Sequence, residues 1–160
     1  WYNSEQYRED SLATDRYELI RSNLNEEIAD GLARVSLDGE DVIITLSEQG
    51  SFQSGSAELE QGFYEVLNRV GASLAGAGGL VEIEGHTDGI PLAFGGRYRD
   101  NWDLSSARSS RVADYLLQQG FLMPGSVVVE GHSDTKPVAS NDTLDGRAMN
   151  RRIEVIVRGT

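Results

Sequence analysis

Two stretches of the sequence decide the fold: VEIEGHTDGIPL at residues 81–92 and VVVEGHSDTKPV at residues 127–138. Each runs from a β-branched, hydrophobic segment typical of a strand into Glu-Gly-His, then Thr or Ser, then Asp, with Pro close behind. Between them, residues 102–120 carry apolar side chains at helical spacing. Strand–helix–strand units favour right-handed crossovers, so we expect the two strands to be parallel and adjacent, with both histidine loops at one sheet edge. Ligands of α/β sheets tend to bind beyond that carboxyl edge.

The remaining periodicity predicts an α/β fold in the order β-α-β-α-β-(α)-β. The predicted strands are 41–46, 80–85, 126–131 and 152–157, and the predicted helices are 57–76, 102–120 and a short one at 145–152. Residues 1–35 are predicted as an N-terminal linker, polar at first and helical afterwards, which leaves residues 36–160 as the domain. We expect Gly85 and Gly131 to serve tight turns at their strand ends.

Composition and charge exclude several classes of function. The 160 residues contain no cysteine, so disulfides and zinc–thiolate sites are excluded. The net charge of −12 argues against nucleic acid and anionic membrane surfaces as partners, since proteins that bind them carry basic patches. No apolar run approaches the ~18 residues of a membrane helix, and no signal peptide is visible. Because the chain begins at Trp1, we expect it to be an excised piece of a longer protein.

Three kinds of site fit the polar residues of the two loops. The first is a metal site with the ligands His86, Asp88, His132 and Asp134. The second is a hydrolytic triad of Ser105, His86 and Asp88, although nothing resembles a Gly-x-Ser-x-Gly elbow. The third is a pocket in which Asp88 and Arg108 hold a ligand with both an ammonium and a carboxylate group, since Arg grips carboxylates through two hydrogen bonds. A purely structural alternative is that Asp88 and Arg108 pair with each other.

Four segments together resemble a known family. They are GHTDGIPL at 85–92, NWDLSSARSSRVADYLLQQG at 101–120, VEGHSDTKPVASNDT at 129–143 and GRAMNRRIEV at 146–155. In this order and spacing they resemble the OmpA-like peptidoglycan-binding domain, over roughly residues 36–157. The resemblance implies a sandwich in which helices pack on a mixed sheet. The phrases NWDLSSAR and NRRIEV, with FQSGSAEL at 52–59, are most similar to its MotB branch, the B subunits of flagellar motor stators.

The resemblance implies a non-enzymatic function and a site. The function would be non-covalent binding of the peptide stem of peptidoglycan, through its diaminopimelate, to anchor the stator around the rotor. Asp88 would face the ammonium group of that residue, and Arg108 would face its carboxylate. The further site residues implied by the family pattern are Thr87, Asn101, Leu104, Phe52 and Arg151, with Arg152 as the alternative to Arg151.

The resemblance also implies partners and a location. The partners would be peptidoglycan, a second copy of the chain in a homodimer, and the stator A subunit, reached through a membrane part that is missing here. We expect no nucleic acid, metal, cofactor or catalytic residue. The chain would be the periplasmic domain of a single-pass inner-membrane protein of a Gram-negative bacterium. Two alternatives stay open: the wall anchor of another envelope machine, such as a secretion system or lipoprotein tether, and a metal-dependent hydrolase.

Overall fold

The computed structural model describes residues 3–75 and 79–159. Its helices are α1 (Ser4–Asn23), α2 (Asn25–Ala29), α3 (Phe63–Leu74), α4 (Asn101–Gln118) and α5 (Leu144–Asn150). Its strands are β1 (Ala33–Asp38), β2 (Asp41–Ser47), β3 (Val81–His86), β4 (Val127–Gly131) and β5 (Arg152–Val157). They form one five-stranded mixed sheet in the order β1-β2-β5-β3-β4, which confirms the predicted α/β fold class. Within the described ranges, no helix combines the length and the apolar character needed to cross a membrane.

The order of the strands determines which chain segments meet at one edge of the sheet. β3 and β4 are parallel neighbours, as the repeated stretches predict, with Gly85 opposite Gly131. β2 and β3 both run antiparallel to β5, which lies between them. Their carboxyl ends therefore point the same way, and Arg152 at the start of β5 pairs with Ser47 on one side and His86 on the other. One edge thus gathers the ends of β2, β3 and β4 and the start of β5.

The hydrophobic core lies between the sheet and the helices α1, α3 and α4. Side chains alternate along a strand, so Val81 and Ile83 of β3 point into this core while Glu82 and Glu84 point to the opposite face. The apolar stripe of α3 packs on the core through Phe63, Val66, Leu67, Val70 and Leu74. Full burial of each such side chain contributes about 1.5–3 kcal/mol, which stabilises the position of α3 on the sheet.

Gly85 and Gly131 bring α4 close to the sheet, and the expectation that they serve tight turns is wrong. Both are paired within their strands. A Cβ atom at Gly85 would lie 2.2 Å from the backbone oxygen of Ser105, and one at Gly131 would lie 2.2 Å from Ser106 Oγ. Side chains cannot fit at such distances, so the absence of a Cβ sets the spacing between α4 and the strands β3 and β4.

Replacing Gly85 by alanine is expected to lower the free energy of unfolding by about 2–3 kcal/mol, because α4 must move away from β3 to admit the methyl group. Gly62→Ala is the matched control: its φ is −71°, and no described residue beyond its own neighbours along the chain has a heavy atom within 4 Å of its Cβ position. Urea denaturation of the two variants measures the difference. Equal midpoints would contradict the close approach of α4.

The N-terminal part of the chain differs from the expectation in two elements. α1 begins at Ser4, inside the stretch expected to be polar linker. β1 was not predicted; it begins at Ala33 and forms a hairpin with β2, in which Asp38 pairs with Asp41. Gly39 in the two-residue turn has a φ of 62°, which L side chains rarely adopt. A glycine at the first of two turn residues is a hairpin signal, and Gly39 could have revealed β1.

Candidate functional site

A cleft of about 350 Å³ lies at the edge where β2 and β3 end and β5 begins. Its walls are formed by Glu48, Ser54, Gly55, Thr87, Asp88, Ile90, Asn101, Leu104, Arg108 and Arg151. Of the seven residues that the family pattern implied for wall binding, the structure brings together all except Phe52, and it adds Glu48, Ser54, Gly55 and Ile90. A larger groove of about 760 Å³, bordered by α2 and β1, shares Glu48 and Arg151 with this cleft. We place the candidate site in the smaller cleft because Asp88 and Arg108 line it and do not line the groove.

A chain of ion pairs crosses the floor of this cleft. Arg151 Nη1 lies 2.7 Å from Asp88 Oδ2, and Arg151 Nε lies 3.0 Å from Glu48 Oε1. The other oxygen of Glu48 lies 2.6 Å from Arg108 Nη1. Asp88 is therefore paired with Arg151, not with Arg108 as the structural alternative held. Glu48 bridges the two arginines, and it is the member of the site that sequence reasoning missed.

Arg108 is held in place by its surroundings before any ligand binds. The side chain is almost fully buried, with 3% of the residue exposed. Its Nε donates to the backbone oxygen of Ser56 (2.7 Å) and its Nη2 to that of Gln53 (3.0 Å). Its guanidinium carbon lies 4.8 Å from the ring centroid of Phe52, a cation–π contact. Phe52 therefore supports the guanidinium from behind the cleft and does not line the cleft itself.

The loop after β3 presents Asp88 through local hydrogen bonds. Asp88 Oδ1 accepts from the backbone N–H of Ile90 (3.0 Å), which leaves Oδ2 for Arg151. Asn101 Nδ2, at the start of α4, donates to the backbone oxygen of Ile90 (3.0 Å) and so ties the loop to the helix. Thr87 donates its backbone N–H to Ser133 O (2.8 Å) in the second repeated loop. Thr87 and Asn101 thus fix the orientation of the aspartate.

The side chain of Arg152 belongs to the opposite face of the sheet. Its Nε lies 2.6 Å from Glu154 Oε2, and its Nη2 donates to Lys136 O (2.9 Å). Neighbouring residues of an extended strand point to opposite faces, so Arg151 and Arg152 cannot both enter the cleft. Between the two alternatives, the structure places Arg151 at the candidate site.

The residues proposed for a catalytic triad and for a histidine–aspartate metal site pair with other groups. Ser105 Oγ donates to Trp102 O (3.2 Å) and accepts from Ser133 N (3.1 Å). His86 Nε2 lies 3.1 Å from Glu84 Oε1, on the face of the sheet away from α4. Asp134 is exposed at the tip of its loop. The triad and the metal set drawn from the sequence are therefore not assembled among the described residues.

The two histidines form a cluster with glutamates below the strand ends. The rings of His86 and His132 stack with centroids 5.1 Å apart. The hydrogen bond from His86 is the largest of the effects that hold the pKa of the Glu84 carboxyl below its usual range. Burial of Glu84 acts in the opposite direction but is the weaker effect. This cluster is separate from the cleft.

Comparison with known proteins places the fold and the cleft in one family. The model of the OmpA family matches residues 51–151, a range that contains every wall residue of the cleft except Glu48. Among solved structures, the cell wall anchor of the T6SS from Pseudomonas aeruginosa has a TM-score of 0.79 and 35% sequence identity, covering 88% of this chain and 97% of that one.

Two curated relatives extend this likeness beyond the matched range. Motility protein B of Bacillus subtilis (strain 168) is 29% identical over 152 residues, which cover 91% of this chain and 58% of that protein. Peptidoglycan-binding protein ArfA of Mycobacterium tuberculosis (strain H37Rv) is 38% identical over 108 residues, which cover 67% of this chain and 31% of that protein. The chain thus spans less than two thirds of the length of either relative.

Proposed function

The chain belongs to the OmpA family, and on this premise we propose that its cleft binds the peptide stem of peptidoglycan non-covalently, through the zwitterionic end of diaminopimelate. The observation that carries the proposal is the convergence of one buried aspartate, Asp88, with two arginines, Arg108 and Arg151, in a cleft open to solvent. The free end of diaminopimelate carries an ammonium and a carboxylate on one carbon. Both charges find a partner of opposite sign within this cleft.

Binding would exchange one set of ion pairs for another. The ligand ammonium would take the place of Arg151 Nη1 at Asp88 Oδ2, a position where the structure already holds a cationic N–H at 2.7 Å. Arg151, with its side chain 31% exposed, would then turn to the ligand carboxylate alongside Arg108. Glu48 remains between the two arginines and balances their charge. Because every charge is paired before and after binding, the desolvation cost of the exchange stays small.

The proposed role is that of a binding module and not of an enzyme, and the larger assembly we favour is a flagellar motor stator. Motility protein B matches 91% of this chain, including part of the segment before residue 36 that we propose as a linker to a membrane anchor. In that assembly the chain would be the periplasmic part of a single-pass inner-membrane protein, would form a homodimer and would associate with the stator A subunit through its membrane part.

A second assembly is supported by a specific likeness. The T6SS cell wall anchor covers 88% of this chain at higher identity than motility protein B. The same cleft would serve a secretion machine equally well, because wall binding is common to both roles. Any sequence that precedes this chain in the full protein would test the stator: one membrane helix that carries an aspartate supports it, and a lipidated cysteine rejects it.

Competition between muropeptides tests the proposed ligand directly. The chain is co-sedimented with purified sacculi that contain meso-diaminopimelate, and soluble muropeptides are added as competitors. A muropeptide with diaminopimelate is expected to release the chain at a concentration at least about tenfold lower than one with lysine at the same position, because lysine lacks the second carboxylate that the arginines would hold. Equal competition by both muropeptides would reject the zwitterion-binding cleft.

A further inference from the structure

The strands β3, β4 and β5 carry a group of ionisable side chains on the sheet face opposite α4. The group consists of Glu84, His86, Glu130, His132 and Glu154, and we call it the histidine–glutamate cluster. His132 Nε2 lies 2.8 Å from Glu130 Oε2 and 3.5 Å from Glu84 Oε1. Glu84, Glu130 and His132 each offer one possible ligand atom, and these three atoms lie within 4.8 Å of one another. The cluster plays no part in the cleft that we assign to the wall.

The cluster holds more negative than positive charge when its imidazoles are neutral. Glu154 is paired with Arg152 at 2.6 Å. The ion pairs found for the carboxylates of Glu84 and Glu130 within the described residues are with imidazole rings alone, and Lys136 acts on Glu84 only at longer range. Glu84 is almost fully buried, with 6% of the residue exposed. A buried carboxylate needs a counter-charge, which only protonated histidines or a bound cation can supply here.

The geometry points to a cation. We propose that Glu84, Glu130 and His132 bind one divalent transition-metal ion of the zinc class. Ligand atoms about 2.1 Å from a tetrahedral ion are about 3.4 Å apart, which agrees with the 3.5 Å between His132 Nε2 and Glu84 Oε1. The distance between His132 Nε2 and Glu130 Oε2 is 2.8 Å, and it would lengthen by about half an ångström when the ion binds. The side chain of Glu130 is 38% exposed, so the ion can enter from solvent and keep a water as its fourth ligand.

His86 fits the part of a supporting residue better than that of a ligand. Its Nδ1 is buried without a hydrogen-bond partner among the described residues. A histidine that binds a metal normally donates its second ring N–H to a fixed acceptor, and His86 has none. Its Nε2 instead lies 3.1 Å from Glu84 Oε1 and can orient that carboxylate. His132 is partly exposed, so its second ring nitrogen can meet water.

A metal at this position would fasten β3 to β4 at the edge next to the cleft. His132 N already donates to Gly85 O (2.9 Å), and Thr87 N to Ser133 O (2.8 Å). A single ion held by both strands adds a third cross-link to these two. The site does not rest on the proposed wall binding, since none of its ligands lines the cleft.

Zinc binding by the 160-residue chain, expressed without a polyhistidine tag, tests the proposal. We expect one zinc ion per chain by titration calorimetry, a Co²⁺ complex with visible d–d absorption, and a melting temperature raised by roughly 5–10 °C at a zinc concentration of about 100 times Kd. His132→Gln and Glu130→Gln are each expected to weaken zinc binding more than about 100-fold, because loss of a supporting residue alone costs 10–100-fold.

Controls separate this site from other binding. Asp134→Asn removes an exposed carboxylate of the same loop and should bind zinc like the parent chain. Sacculus binding should be the same in His132→Gln as in the parent, so failure of the metal site and failure of the wall site are distinguishable. The proposal is overturned if the parent chain binds no zinc, or if the two ligand variants bind it unchanged. Protonated imidazoles at neutral pH by NMR, without zinc binding, would likewise overturn it.

Discussion

Sacculus binding is expected to fall about 100-fold when Asp88 is replaced by alanine. The substitution removes the carboxylate that would hold the ligand ammonium and leaves Arg151 without one of its two anionic partners. Removing one member of a buried, hydrogen-bonded charge pair costs about 2–5 kcal/mol of binding free energy, and about 3 kcal/mol corresponds to a 100-fold loss. Co-sedimentation at several protein concentrations measures the change, and circular dichroism checks that the fold is kept.

The second repeated loop provides a matched control for this experiment. Asp134 stands at the same place after β4 as Asp88 does after β3, but it is exposed and lies outside the cleft. Asp134→Ala should therefore bind sacculi like the parent chain. Asp88→Asn adds a second test, because it keeps the shape of the side chain and removes only the charge. Full binding by both Asp88 variants would show that the cleft is not the wall site.

Arg108→Ala is expected to lower the free energy of unfolding by about 3–5 kcal/mol, measured by urea denaturation. The guanidinium is buried and donates to two backbone oxygens and to Glu48. Its removal leaves these acceptors without their donor and opens a space above Phe52. Removing one partner from a buried charge network costs this much because the groups that remain are shielded from water and no longer have a hydrogen-bond partner.

Arg111→Ala on the same helix is the control for this loss of stability. Arg111 is exposed, and exposed substitutions change the free energy of unfolding by about 0.5 kcal/mol or less. If Arg108→Ala is no less stable than Arg111→Ala, the network around Glu48 does not form in solution. Since Arg108 both stabilises the fold and faces the cleft, a binding assay on it is informative only alongside the measured stability.

The parallel pair β3–β4 could be predicted because its signal is local. A short β-branched, hydrophobic segment identifies each strand, the helical pattern between them identifies the crossover, and chirality then leaves one arrangement. β1 was missed even though Gly39 marks its turn. The residues before it continue the apolar stripe of a helix. Over the six residues of β1, the strand period of two cannot be told from the helical period of 3.6.

The cleft was predicted in part. Asp88 and Thr87 directly follow a strand whose end belongs to the ligand-binding edge, and Arg108 lies in the helix that follows, so sequence order alone brings them near one another. Glu48 was missed because its strand lies far away in sequence. Only the antiparallel placement of β5 between β2 and β3 turns the end of β2 toward the same edge. The roles of these residues in binding stay a prediction.

The sequence by itself determined four of the five strands, the helices α3, α4 and α5 and the family, because periodicity, turn residues and motif order act over short stretches of chain. Tertiary structure decided which charges are partners. Arg151 and not Arg108 pairs with Asp88, Arg152 points to the other face, and the two histidines meet glutamates instead of aspartates. Pairing between side chains depends on strand order and on the face to which each residue points, and both are settled only when the whole sheet forms.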